Sequence, residues 1–273
     1  MAETLRSGVS LHYEVEGTGP PVVLIHGHTL DLGVMDGLVG PLVGAGMQVV
    51  RFDLRGHGRS GRPDSGYHVS HHAADVAAVM DTVGADRAAL VGYSIGGGIA
   101  LETALTMPDR VVTLTLLSPV LPDRPYEPEF FDSLRQVARV TRSDGIRAAM
   151  LGPWLDSPLW ATSLTDPVVR QRLASIVERF PGAEYLASAR DRVDREWIMP
   201  DRLAEITQPT TVAVGELELP GFLAYAEEIA EGIPGAQLEV LEGLGHLHLL
   251  QDPDRVVKLV VDAVIDGGSN RNP

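Results

Sequence analysis

The 273-residue chain carries 22 Lys and Arg against 37 Asp and Glu, a net charge of −15, with an isoelectric point of about 4.9. That charge repels nucleic-acid phosphates and anionic lipid head groups, and no Lys/Arg run makes a local exception, so neither nucleic acid nor a membrane is an expected partner. The absence of cysteine excludes disulfides, thiolate metal sites and a cysteine nucleophile.

Residues Met1 to Ser10 are polar and lack the apolar stretch of a signal peptide, and no apolar run reaches the roughly 18 residues of a membrane span. A cytoplasmic location is therefore the expectation. The first strand is predicted over Val9 to Glu16, where apolar and polar residues alternate as in a half-buried antiparallel strand. Val22 to Ile25 is a continuous apolar run, as for a strand covered on both faces. Gln48 to Phe52, Ala88 to Val91 and Val111 to Leu117 follow in kind, then Thr211 to Val214 and Gln237 to Leu241.

Helical spacing of apolar residues places helices between the strands. They are predicted over Ala73 to Val83, Ile99 to Met107 (stopped by Pro108), Phe222 to Ile233 and Val256 to Ile265. Strands alternating with helices indicate a mainly parallel α/β sheet with right-handed crossovers. From Leu121 to Thr207 the alternation stops. That stretch has helical segments near Phe130 to Val140 and Val168 to Phe180, and all three tryptophans: Trp154, Trp160 and Trp197. A structureless loop of that length is unusual in a compact domain, so a helical insertion over one end of the sheet is expected. The domain reading is core over 1–120, cap over 121–207, core again over 208–266, and a disordered tail over 267–273.

Gly92-Tyr93-Ser94-Ile95-Gly96 matches G-x-S-x-G between a strand and a helix. So tight a turn strains the serine backbone and needs small neighbours, which accounts for Gly92 and Gly96. The serine oxygen would stand at the mouth of the sheet above a helix N-terminus. There the helix dipole and the Ile95 N–H favour developing negative charge. Gly96-Gly97-Gly98 lacks a P-loop lysine, so close helix packing explains it better than phosphate binding. No His and carboxylate spacing suggests a metal, and no cofactor is expected.

Several segments, in order, resemble the α/β-hydrolase superfamily. His26-Gly27 follows the second predicted strand, Asp53-Leu54-Arg55-Gly56-His57-Gly58-Arg59-Ser60 matches D-x-R-G-x-G-x-S, the serine turn follows, and Gly245-His246 comes after the last strand. The resemblance covers nearly all of the chain outside the insertion. It implies a mostly parallel, doubly wound sheet of about eight strands with a helical cap, a serine hydrolase forming an acyl-enzyme on Ser94, and His246 as base. His248 is a competitor two residues on. His26 and His57 read as structural, and His71 and His72 as surface residues near a helix start. By the family pattern the acid falls at Glu218 in Gly215-Glu216-Leu217-Glu218-Leu219-Pro220, a glutamate where aspartate is usual; Glu216 and Asp123 are alternatives.

The resemblance also implies that the backbone N–H groups of Ile95 and His28 form the oxyanion hole. His28, Tyr93, Trp154, Trp160 and Trp197 are pocket candidates, with Phe130 and Phe131 as further aromatic lining. A serine nucleophile disfavours the dehalogenase and epoxide hydrolase branches, which use aspartate, and Leu247 after the histidine disfavours carbon–carbon bond hydrolysis. The expected substrate is a medium-sized apolar ester, lactone or thioester, possibly carrier-bound, with the protein a monomer or homodimer. An acyltransferase using an amine or alcohol acceptor, a carbon–carbon bond hydrolase and a non-catalytic small-molecule receptor are alternatives on the same fold.

Overall fold

The computed structural model describes residues 2–187 and 198–269. Eight strands form one sheet: β1 (Ala2–Arg6), β2 (Val9–Glu16), β3 (Pro21–Ile25), β4 (Gln48–Phe52), β5 (Ala88–Tyr93), β6 (Val111–Leu117), β7 (Thr210–Gly215) and β8 (Gln237–Leu241). Their order is β1-β2-β4-β3-β5-β6-β7-β8. β1 and β2 run antiparallel to their neighbours, and every pairing from β4 onward through β8 is parallel. The apolar runs lie in the middle of this order, where both faces are covered, and all six residues of β5 are buried.

Helices α1 (Asp36–Gly44), α2 (Val69–Thr82) and α3 (Ile95–Thr106) follow β3, β4 and β5. Between β6 and β7 the described residues form helices and turns only: α4 (Pro128–Asp144), α5 (Ile146–Ala149), α6 (Pro167–Val177) and α7 (Ala183–Leu186). Then come α8 (Pro220–Gly232) after β7, and α9 (His248–Gln251) and α10 (Pro253–Ser269) after β8. No helix among the described residues is long and apolar enough to cross a membrane.

Four elements differ from expectation. β1 has no apolar periodicity and lies at an exposed sheet edge, with Leu5 72% exposed. α1 contains Gly37, Gly40 and Pro41, yet buries Leu38, Val39 and Leu42 against the sheet, so packing overrides poor propensity. α2 starts at Val69 rather than Ala73, which turns His72 inward with Val76 and Val79; His72 is 2% exposed, not a surface residue. α10 runs on to Ser269, past Gly267 and into the predicted disordered tail.

β5 occupies the centre of the sheet, and the chain leaves its carboxyl end directly into α3. Ser94 lies at that junction with φ 55° and ψ −118°, a backbone conformation that L-residues rarely adopt. The neighbours hold it there. Its N–H donates to Leu117 O (2.8 Å) at the end of β6, and its carbonyl accepts from Val120 (3.0 Å) and Gly97 (2.9 Å). A side chain at position 92 would run into the Gly96 carbonyl, and one at position 96 into the Ile25 carbonyl, so neither glycine can be replaced without moving backbone.

Candidate active site

Ser94 Oγ is 3.1 Å from His246 Nε2, and His246 Nδ1 is 2.6 Å from Glu218 Oε2. The three side chains come from the three loops that leave β5, β7 and β8 at one end of the sheet. Two loops are fastened to each other by backbone bonds: Glu216 N–H donates to Leu241 O (3.0 Å) and Leu217 N–H to Leu244 O (2.8 Å). The histidine loop is also held from the insertion, since Leu247 N–H donates to Ser163 Oγ (3.1 Å) and Ser163 Oγ–H to Gln251 Oε1 (2.9 Å).

The His246 and Glu218 side chains are completely buried. Glu218 also accepts the Leu219 N–H (3.1 Å), and the carboxylate fixes the histidine proton on Nδ1, leaving Nε2 to face the serine. The imidazole is clamped edge-on by Phe222 (4.9 Å between ring centres) and Trp160 (5.5 Å). Glu216 points away, accepting Gly243 N–H (2.9 Å) in an exposed position, and Asp123 accepts the Met199 N–H (3.0 Å). His248 is the buried partner of Ser118 Oγ (3.1 Å) rather than of Ser94, and burial, then the neighbouring His246, pushes its imidazole down to about 3.

The serine opens on a cavity of about 270 Å³ lined by His28, Ser94, Ile95, Val120, Tyr126, Phe130, Leu134, Trp154, Leu159, Trp160, Glu184, Tyr185 and Phe222. A larger groove of about 490 Å³ between β7, β8 and α10 is lined by none of the three residues of the triad. Ile95 is the first residue of α3, and His28 follows β3. Neither N–H has a hydrogen-bond partner among the described residues, and both residues line the cavity. Two unpaired N–H groups beside the serine, that of Ile95 at a helix start, are suited to hold an anionic oxygen.

The structure brings His28, Trp154, Trp160 and Phe130 to the cavity. Tyr93 does not line it. Its ring is fully buried below the serine, and its hydroxyl donates to the His246 carbonyl (2.8 Å). Burial, then Glu218, pushes that hydroxyl well above its ordinary range, so it stays a donor. Phe131 is 44% exposed and lies under the Arg135 guanidinium rather than in the pocket. Trp197 falls outside the described residues. Glu184, Tyr185, Tyr126 and Phe222 also line the cavity, and no motif in the sequence marks them.

His26 and His57 fulfil the structural reading. His26 Nε2 accepts the Leu54 N–H (3.0 Å), and His57 Nε2 accepts the Thr29 N–H (3.3 Å), so both brace the loop that presents His28. Burial holds both imidazoles low, His26 at about 4 and His57 at about 3, which keeps them neutral acceptors.

A sequence profile described as the alpha/beta hydrolase fold matches residues 20–253. A protein of Azorhizobium caulinodans named "Putative carbamate hydrolase RutD" is 29% identical over 247 residues, 89% of this chain and 91% of its own length. The solved structure titled "Est816 as an N-Acyl homoserine lactone degrading enzyme" is 30% identical with a TM-score of 0.77, covering 95% of this chain and 98% of that one. The enol-lactonase from Burkholderia xenovorans LB400 is 25% identical with a TM-score of 0.81, over 97% of this chain and 100% of that one. The profile spans the serine turn and the histidine loop, and the likeness of the solved structures extends over the same sheet, so this chain belongs to the alpha/beta hydrolase fold family.

Proposed function

We propose that this protein is a serine hydrolase that cleaves a carboxylic ester, lactone or thioester of a medium-sized, largely apolar acyl compound through an acyl-enzyme on Ser94. The observation that carries this reading is the unbroken chain from Glu218 through His246 to Ser94 (2.6 Å and 3.1 Å), ending in an aromatic-lined cavity. Trp154, Trp160, Phe130 and Phe222 suit an apolar acyl group, and the insertion between β6 and β7 that supplies the first three acts as its cap.

In this reading Ser94 Oγ attacks the carbonyl carbon while its proton passes to His246 Nε2. The carbonyl oxygen becomes an oxyanion held by the N–H groups of Ile95 and His28, each worth about 3 kcal/mol in such sites. Glu218 stabilises the imidazolium without taking its proton. The tetrahedral adduct collapses, and the leaving oxygen or sulfur departs with the proton from His246. Water then attacks the acyl-enzyme, its proton going to the same nitrogen, and releases the acid and free Ser94.

The test is labelling with a fluorophosphonate, read by intact mass, with p-nitrophenyl acetate burst kinetics alongside. One adduct on the wild type, none on Ser94→Ala, and a burst of one nitrophenolate per chain are expected. Absence of both adduct and burst in the wild type overturns the reading.

A further inference from the structure

The cavity has one feature that ester cleavage does not use. Glu184, in α7 of the insertion, places Oε1 2.9 Å from His28 Nδ1, and the Tyr185 hydroxyl is 2.9 Å from His28 Nε2. The carboxylate requires a proton on Nδ1, and the Tyr185 O–H satisfies Nε2, so both nitrogens of the ring are engaged. His28 is further wedged edge-on against Trp154 (5.8 Å) and Phe180 (5.6 Å). The ring is thus spent on holding Glu184, and only one carboxylate oxygen is used in doing so.

The second oxygen, Oε2, has no hydrogen-bond donor among the described residues. Its side chain is 23% exposed and lines the cavity beside Ser94, Trp160 and Phe222. Among the described residues that line the cavity it is the sole carboxylate, and none of them is a Lys or Arg. Burial pushes the carboxyl up, but its contact with His28 outweighs this and holds it down at about 2, so the carboxylate stays ionised. Burial and the Glu184 charge in turn keep the Tyr185 hydroxyl protonated. The free lone pair faces the cavity, where an N–H on a bound ligand can meet it in place of water.

We infer that Glu184 is a specificity-determining residue whose free oxygen accepts a hydrogen bond from a nitrogen on the substrate, an ammonium or an amide N–H, and that the same charge turns carboxylate-bearing substrates away. The inference rests on the ester-cleaving reading for the position of the reacting carbonyl, but the charge selection itself needs only the cavity. The substrate class narrows to an apolar ester, lactone or thioester carrying an N–H group within reach of the cap. His28 acts here as a positioning residue, holding the carboxylate by its ring while its main chain faces the reacting oxygen.

The experiment uses p-nitrophenyl esters of one chain length ending in ammonium, acetamido, methyl or carboxylate. The ratio of kcat/KM for the ammonium to the carboxylate ester should be about tenfold or more in the wild type, as expected for a charge-assisted hydrogen bond. Glu184→Asp should keep that preference. Glu184→Gln retains an acceptor for His28 but loses the charge, and its ratio should fall to about one. A role confined to holding His28 would lower all four esters together and leave the ratio intact. The acetamido arm separates an N–H preference from a preference for positive charge alone.

A second readout needs no turnover. An alkylamine and an alkanoate of equal length are titrated into the wild type and Glu184→Gln, followed by tryptophan fluorescence, to which Trp154 and Trp160 in the cavity wall contribute. Tighter binding of the amine, lost in Glu184→Gln, supports the charge selection even if no ester is cleaved, in which case only the ester-cleaving reading fails. Ester turnover without preference, or a preference unchanged in Glu184→Gln, overturns the assignment of Glu184 and leaves the ester-cleaving reading in place.

Discussion

The Tyr93 hydroxyl donates to the main-chain carbonyl of His246 at 2.8 Å, joining the residue before the nucleophile to the backbone of the base across 153 positions of sequence. The ring centres lie 5.4 Å apart, so the tyrosine supports the imidazole from below as well as tethering its backbone. Removing the hydroxyl leaves a buried carbonyl without this donor. Tyr93→Phe is expected to cost about 1 kcal/mol in denaturant unfolding. It should lower kcat several-fold with little change in KM, because the histidine loses its fixed height over Ser94 rather than its contact with substrate. Equal losses in kcat and in substrate binding would count against that division.

Glu218→Gln keeps the shape of the acid but lets the histidine proton settle on the wrong nitrogen. Activity toward a p-nitrophenyl ester should fall about a thousandfold or more while the melting curve stays cooperative. Glu218→Asp withdraws the carboxylate by a methylene from a 2.6 Å contact and should give an intermediate rate. Glu216→Gln should retain the wild-type rate, since Glu216 bonds the Gly243 N–H at the surface. Loss of activity in Glu216→Gln instead of Glu218→Gln would transfer the role of the acid.

Two tryptophans in the insertion meet edge to face at 5.2 Å but differ in their polar atoms. Trp154 Nε1 donates to Thr29 Oγ1 (2.8 Å), pinning the insertion to the His28 loop, whereas the buried Trp160 Nε1 has no partner among the described residues. Trp154→Phe should therefore destabilise the fold by about 2 kcal/mol. Trp160→Phe removes an unsatisfied donor, which offsets the space it opens, and should stay within about 1 kcal/mol of wild type. Guanidinium unfolding of the two variants side by side checks the order.

Acid should weaken the fold well before carboxylates titrate. Burial, the first cause in each case, lowers His26 to about 4 and His57, His72 and His248 to about 3, from 6.5. Above about 6.5 these four rings are neutral in both folded and unfolded chains and contribute nothing. As pH falls below that, only the unfolded chain takes up their protons, so stability falls by up to about 5 kcal/mol per pH unit until the folded values are approached. Glu184, lowered to about 2, adds a loss in the same direction below about 4.5, while Asp53, raised by burial, opposes it there. Unfolding free energy measured at pH 7.5, 6.5 and 5.5 should drop mainly across the last interval, and a flat profile would show that the rings are protonated in the folded state.

The strands at the centre of the sheet were legible because burial on both faces leaves an unbroken apolar run, as in Val22 to Ile25 and Val111 to Leu117. β1 was not, because a strand exposed at an edge needs no such pattern. Ser94 and His246 stood out because backbone geometry constrains their neighbours: Gly92 and Gly96 crowd other carbonyls, and Gly245 precedes the histidine in a tight loop; Glu218 was reached only through the family pattern. Tyr93 was misplaced because it sits next to the nucleophile in sequence, while the strained turn sends the two side chains in different directions. Glu184 and Tyr185 left no trace, since a short helix in an insertion carries no turn or period that dictates which residue meets the pocket.

Ser94 keeps its strained turn only with help from the neighbouring strand. Besides the Gly97 N–H within the turn, its disfavoured backbone is held from outside by Leu117 O at the end of β6 and by the N–H of Val120 just beyond it. The reactive geometry is therefore borrowed from the middle of the sheet. On warming, loosening of the β6 terminus lets Ser94 relax toward ordinary dihedral angles while β3, β4 and β5 are still paired, so catalytic competence is lost at a lower temperature than secondary structure.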